Sequence, residues 1–114
     1  MHPVSIQNAD HYVWGDHCDG WHLLKGDDLH VIQERVPPGK AEKRHLHSTA
    51  KQFFFILAGR AVMELNGVDH PLSTGEGIHI PRGMPHQFKN PFGDPVEFLV
   101  ISHPTTRGDR TDLA

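Results

Sequence analysis

Hydrophobic positions in this chain fall in short clusters that alternate with polar ones, and none sustains a helical period beyond one turn. LHVIQERV, KQFFFIL, RAVMEL, EGIHI, HQFK and VEFLVIS are rich in Val, Ile and Phe and read as strands. Between them, VPPGK, LAGR, LNGV, STGEG, IPRGMPH and NPFGDP supply the proline and glycine of turns. LNGV at residues 65–68 predicts a two-residue Asn-Gly hairpin. Short strands at this spacing predict an all-β sandwich or barrel, and residues 1–114 read as one domain. Residues 1–20 are polar and weakly patterned and read as an N-terminal segment, and residues 104–114 read as a turn followed by a fraying tail.

The same alternation sorts side chains by face. His45 and His47 are two apart, so on a strand they project together and suit two ligands of one ion. Gln52 lies at an odd separation from both, so the intervening STAK must turn the chain into a new strand before Gln52 can face them. His86 follows IPRGMPH, whose prolines and glycine hold the entry to the next strand. With Gln52 inward, Phe54 and Ile56 are inward too, and Phe53, Phe55 and Leu57 form an apolar stripe on the outside. Phe88 joins His86, and an apolar pocket lined by Phe54, Ile56, Met63, Ile78, Ile80 and Phe88 is expected, or else a packed interior made of the same residues.

Composition narrows the function classes. Net charge is -3 with Lys and Arg scattered, which argues against a nucleic-acid partner. No apolar run reaches the roughly 18 residues of a membrane helix, and the N-terminus lacks the basic and apolar regions of a signal peptide, so a cytoplasmic protein with no membrane partner is expected. The lone Cys18 sits between Asp16 and Asp19, which raise a thiol pKa, and is given no catalytic role. The anomaly is 11 histidines in 114 residues. His22, His30, His70, His79 and His103 read as ordinary half-buried polar residues, since a histidine on a β surface is usually only that.

Gly39, His45, His47, Gln52 and Gly59, followed by Gly75, Pro81, Gly83, His86 and Asn90, carry a resemblance through their spacing. They are similar to the two motifs of the cupin superfamily, with Gln52 where the family pattern has glutamate. The resemblance implies a double-stranded β-helix, a jelly-roll barrel, holding one divalent transition metal (Zn, Fe, Ni, Mn or Co) on His45, His47, Gln52 and His86. It also implies a homodimer, for which the stripe of Phe53, Phe55 and Leu57 is the expected interface. A neutral amide ligand leaves the ion its full charge, which favours Lewis-acid work and weakens retention of the ion. A site that has lost its metal is the other reading of Gln52.

Among cupins, the set of three histidines and a glutamine looks like that of small proteins that open cyclic unsaturated uronates. On the last strand that likeness stops, because Leu99 and Ile101 are aligned into the lumen where an acidic residue and an aromatic would be expected, and Glu97 is the one carboxylate nearby. The implied function is a metal-dependent isomerase, lyase or dioxygenase acting on a small oxygen-bearing metabolite, with sugars or sugar acids among the substrates. The alternative is a non-catalytic cupin that binds or senses a small ligand. No general acid or base stands out in the sequence.

Overall fold

The computed structural model describes residues 2–114, which form strands and turns and contain no helix. The strands are β1 (Asp10–Trp14), β2 (Cys18–Lys25), β3 (His30–Val36), β4 (His45–Leu46), β5 (Lys51–Ala58), β6 (Ala61–Leu65), β7 (Val68–Leu72), β8 (Gly77–Ile80), β9 (His86–Lys89), β10 (Val96–His103) and β11 (Thr111–Asp112). They build two antiparallel sheets, one in the order β1-β2-β3-β10-β5-β8 and one in the order β11-β4-β9-β6-β7. This is the double-stranded β-helix, in which successive strands cross between the two sheets and each sheet turns one face inward.

Alternation on the strands sets what lies between the sheets. On β10, Val96, Phe98, Val100 and Ser102 are buried while Glu97, Leu99 and Ile101 are only partly covered. Phe98 stacks on Phe88 with ring centroids 4.0 Å apart, and Phe54 lies 5.7 Å and 5.8 Å from the two rings. Ile56, Met63, Ile80, Val36 and Val96 close the core around these rings. The Asn-Gly turn is present as expected: Asn66 at φ 47° and Gly67 at φ 91° join β6 to β7 with two residues, the backbone of a type I′ hairpin. Gly59, at φ 88°, passes so near β10 that a Cβ would sit 2.6 Å from the carbonyl oxygen of Pro95.

Residues 1–20, read as a polar N-terminal segment, carry β1 and the start of β2, the first two strands of the larger sheet. Two readings of the sequence are corrected here. The C-terminus does not fray after its turn: β11 pairs with β4, Thr111 opposite Leu46 and Asp112 opposite His45. β1 and β11 are edge strands of five and two residues, too short and too mixed in polarity for hydrophobic patterning to reveal them. Leu99 and Ile101 stand on the outer face, opposite Phe55 and Phe53 of β5. VEFLVIS is apolar at both parities because both faces of this sheet carry apolar side chains, so alternation alone left the register of β10 open.

Candidate metal centre

His45 and His86 are direct register partners across β4 and β9, Gln52 projects from β5 of the other sheet, and His47 lies just past the end of β4. Ring centroids are 4.4 Å apart for His45 and His86, 4.8 Å for His45 and His47, and 5.6 Å for His47 and His86. One ring nitrogen from each lies within 4.8 Å of the others, and all three residues are buried. The STAK turn reverses the chain between His47 and β5, which brings Gln52 to the same cavity.

Hydrogen bonding orients the rings. Nδ1–H of His45 donates to the carbonyl of Lys43 at 2.7 Å, that of His86 to the carbonyl of Met84 at 2.9 Å, and that of His47 to the carbonyl of Asp109. Each Nε2 is thereby the lone-pair nitrogen left for an ion. His86 Nε2 is buried with no hydrogen-bond partner. Gln52 Nε2 donates to Ser102 Oγ at 3.1 Å, and Gln52 Oε1 is likewise buried and unpartnered. Buried polar atoms without partners are uncommon and costly, and a cation satisfies a nitrogen lone pair and an amide oxygen at once. These residues therefore fit a divalent ion.

Electrostatics agree with that fit. Burial drives the imidazoles below the usual histidine range, His45 to about 3, with the carbonyl contact at Lys43 opposing and the neighbouring His86 and Arg110 adding to the fall. Burial lowers His47 and His86 as well. Neutral imidazoles are the form that ligates a metal.

Beside the histidines lies a cavity of about 210 Å³ whose wall also includes Tyr12, Trp14, Glu34, Glu42, Phe54 and Arg110. Of the expected lining residues, Phe54 is in this wall, whereas Ile56, Met63, Ile80 and Phe88 are packed in the core and Ile78 rests partly buried against it. Leu99 and Ile101 are outside the barrel altogether.

The carboxylates were missed by sequence reasoning. Tyr12 OH donates to Glu34 Oε2 at 3.0 Å, and burial pushes the Glu34 carboxyl up to about 7 against the opposing pull of that bond and of Arg110. Glu42 is pushed up to about 8 by burial although its Oε1 accepts a 2.9 Å bond from Phe88 N. One signal existed: Glu34 shares parity with Ile32 and Val36, so it is a carboxylate on the inward face of β3. Tyr12 reaches it because Gly20, the register partner of both residues, has no side chain, and a Cβ there would lie 2.2 Å from the tyrosine ring.

The profile of the Cupin_2 family, described as a cupin domain, matches residues 32–102. Protein SchB of Streptomyces halstedii is 37% identical over 78 residues, which cover 68% of this chain and 55% of SchB, so the chain spans about half of that relative. The oxalate-binding protein of Thermotoga maritima is 28% identical over 85 residues, 70% of each chain. Among solved structures, the polyketide cyclase RemF of Streptomyces resistomycificus superposes with a TM-score of 0.81 at 23% identity, covering 92% of this chain and 80% of RemF, a likeness of fold. Because the matched span takes in both histidine-bearing segments and well over half of the sequence, the chain belongs to the Cupin_2 family of cupins.

Proposed function

We propose that the chain is a metal-dependent enzyme in which Nε2 of His45, His47 and His86 and Oε1 of Gln52 hold one divalent transition-metal ion. The observation that carries this reading is the pair of buried, unpartnered atoms, His86 Nε2 and Gln52 Oε1, beside two further imidazoles whose Nδ1 atoms are already engaged. Four neutral ligands leave the bound ion its full charge, so it supplies Lewis acidity toward a substrate oxygen.

The chain's own groups handle protons. Glu34, whose carboxyl burial raises to about 7 in the metal-free chain, stands in the cavity wall where it can take a proton from carbon or oxygen and return it, and Tyr12 holds one of its oxygens in place. Arg110 in the cavity wall favours a substrate that carries or develops negative charge on oxygen. Phe54 and Trp14 supply apolar wall against a flat skeleton. Together these suit isomerisation, cyclisation or elimination next to a carbonyl in a small oxygen-bearing metabolite. RemF, by its description a polyketide cyclase, belongs to that reaction class, and this lends the reading support. The name of the Thermotoga maritima relative favours a second reading, a module that binds a small dicarboxylate without turnover.

To separate the two, metal-loaded protein is incubated with small hydroxy- and oxo-acids in deuterated water and followed by NMR. Enzyme chemistry predicts deuterium entering the carbon beside a carbonyl, abolished in Glu34→Gln. Saturable oxalate binding with no exchange or conversion of any compound would overturn the enzyme reading.

A homodimer completes the proposal. Phe53 and Leu57 are 40% and 39% exposed, and Leu99 and Ile101 lie beside Phe55 and Phe53 on the same face. Covering this stripe with a second copy removes apolar area from water at about 25 cal/mol per Å².

A further inference from the structure

Residues 104–114 lie outside the segment matched by the family profile, yet they close one side of the metal centre. After β10 the chain turns back across the STAK turn, and the carboxylate of Asp109 lands on it. Asp109 Oδ1 accepts from Ser48 N at 2.8 Å, and Oδ2 accepts from Thr49 N at 3.0 Å and Ala50 N at 2.9 Å. The carbonyl of the same residue accepts Nδ1–H of His47. Just beyond it, β11 pairs with β4 at Leu46 and His45, and Leu113 N donates to the Arg44 carbonyl at 2.8 Å.

His47 needs this help more than the other two histidines. The Nδ1 atoms of His45 and His86 bond to carbonyls two residues upstream, so local backbone orients those rings. His47 lies beyond the end of β4, and its ring is oriented from 62 residues away. The Asp109 carboxylate locks the turn that follows His47, and the Asp109 carbonyl locks its imidazole, so one residue ties backbone and ring to the same point.

We propose that Asp109 is the positioning residue for the metal ligand His47 and that the C-terminal segment is thereby a working part of the metal centre. The inference rests on the metal reading above, and its test has one readout that needs no metal. Partners of ligating histidines typically change metal affinity by roughly 10- to 100-fold when removed.

The experiment compares wild type with Asp109→Ala, Asp109→Asn and Gly108→Val. Gly108 sits at φ 69°, a conformation that a β-branched residue adopts only with strain, and a Cβ there would have no atom within 4 Å, so the substitution acts on the backbone of the turn that delivers Asp109. Two readouts are taken on protein shown to be folded by its amide spectrum: the His47 tautomer by nitrogen-15 NMR of the metal-free chain, and cobalt(II) affinity with its visible absorption band. In wild type His47 is the Nδ1–H tautomer. Asp109→Ala and Gly108→Val shift it toward a mixture, weaken cobalt by roughly 10- to 100-fold and move the band, with Asp109→Asn between them and wild type. A merely structural role would lower the melting temperature and leave tautomer and band unchanged, and that result in both variants overturns the proposal. If wild type binds no cobalt while the His47 tautomer still responds, the positioning role stands and the metal reading falls.

Discussion

Gln52 Nε2 donates a 3.1 Å hydrogen bond to Ser102 Oγ, its register partner across β5 and β10. In this arrangement the amide oxygen is the end left buried without a partner. With nitrogen held by Ser102, oxygen is left for the ion, so the glutamine presents the one atom of its amide that can ligate.

Gln52→Glu keeps a ligating oxygen, and the Ser102 hydroxyl can donate where it had accepted. Adding a negative ligand to an uncompensated divalent centre should tighten metal binding by about tenfold or more, measured by competition with a chelator, while turnover falls because the ion becomes a weaker Lewis acid. Loss of the metal would show that Gln52 is not a ligand.

The Tyr12–Glu34 bond depends on an empty space above Gly20. A Cβ there meets Tyr12 Cζ at 2.2 Å, so Gly20→Ala should displace the ring, break the bond and cost roughly 1–3 kcal/mol by thermal or urea unfolding. Tyr12→Phe removes the hydroxyl alone and should cost less. Equal stability of Gly20→Ala and wild type would contradict the packing described.

Much of this was legible in the sequence, for physical reasons that differ by residue. His45 and His47 stood out by their shared parity, and Gln52 and His86 joined them because the glycines and prolines around all four carry the spacing that resembles the cupin motifs. Leu99 and Ile101 were misplaced because β10 is apolar on both faces. Tyr12, Asp109 and Arg110 were invisible for another reason: they sit on short polar strands or in turns, and they reach the site through tertiary contacts that leave no periodic trace. Glu34 was readable in principle from its parity with Ile32 and Val36.

Burial raises the Glu34 carboxyl from 4.5 to about 7, which means that the fold favours its protonated form. Its contribution to stability is fully present below pH 4.5 and is lost as pH rises through about 7, and Glu42, raised to about 8, adds in the same sense. In the metal-free protein, Glu34→Gln should therefore gain stability over wild type on going from pH 4.5 to pH 7 and be the more stable at pH 7, by about 1–3 kcal/mol. Urea unfolding at the two pH values checks this, and parallel losses in both proteins would place Glu34 in a solvated setting.

Phe53→Asp combined with Phe55→Asp puts two charges into the outer stripe while Phe54 and Gln52 keep their inward places. Light scattering should then give the mass of one chain, with the metal content of wild type retained. A variant that remains dimeric would locate the interface elsewhere.

The metal itself is the central claim, and elemental analysis of chelator-free protein tests it most directly. Wild type should carry about one divalent transition-metal ion per chain, and His47→Ala and His86→Ala, folded by circular dichroism, should each lose most of it. Metal content unchanged in both variants, or absent from wild type even after incubation with zinc, cobalt, nickel, manganese and ferrous ions, would contradict the account.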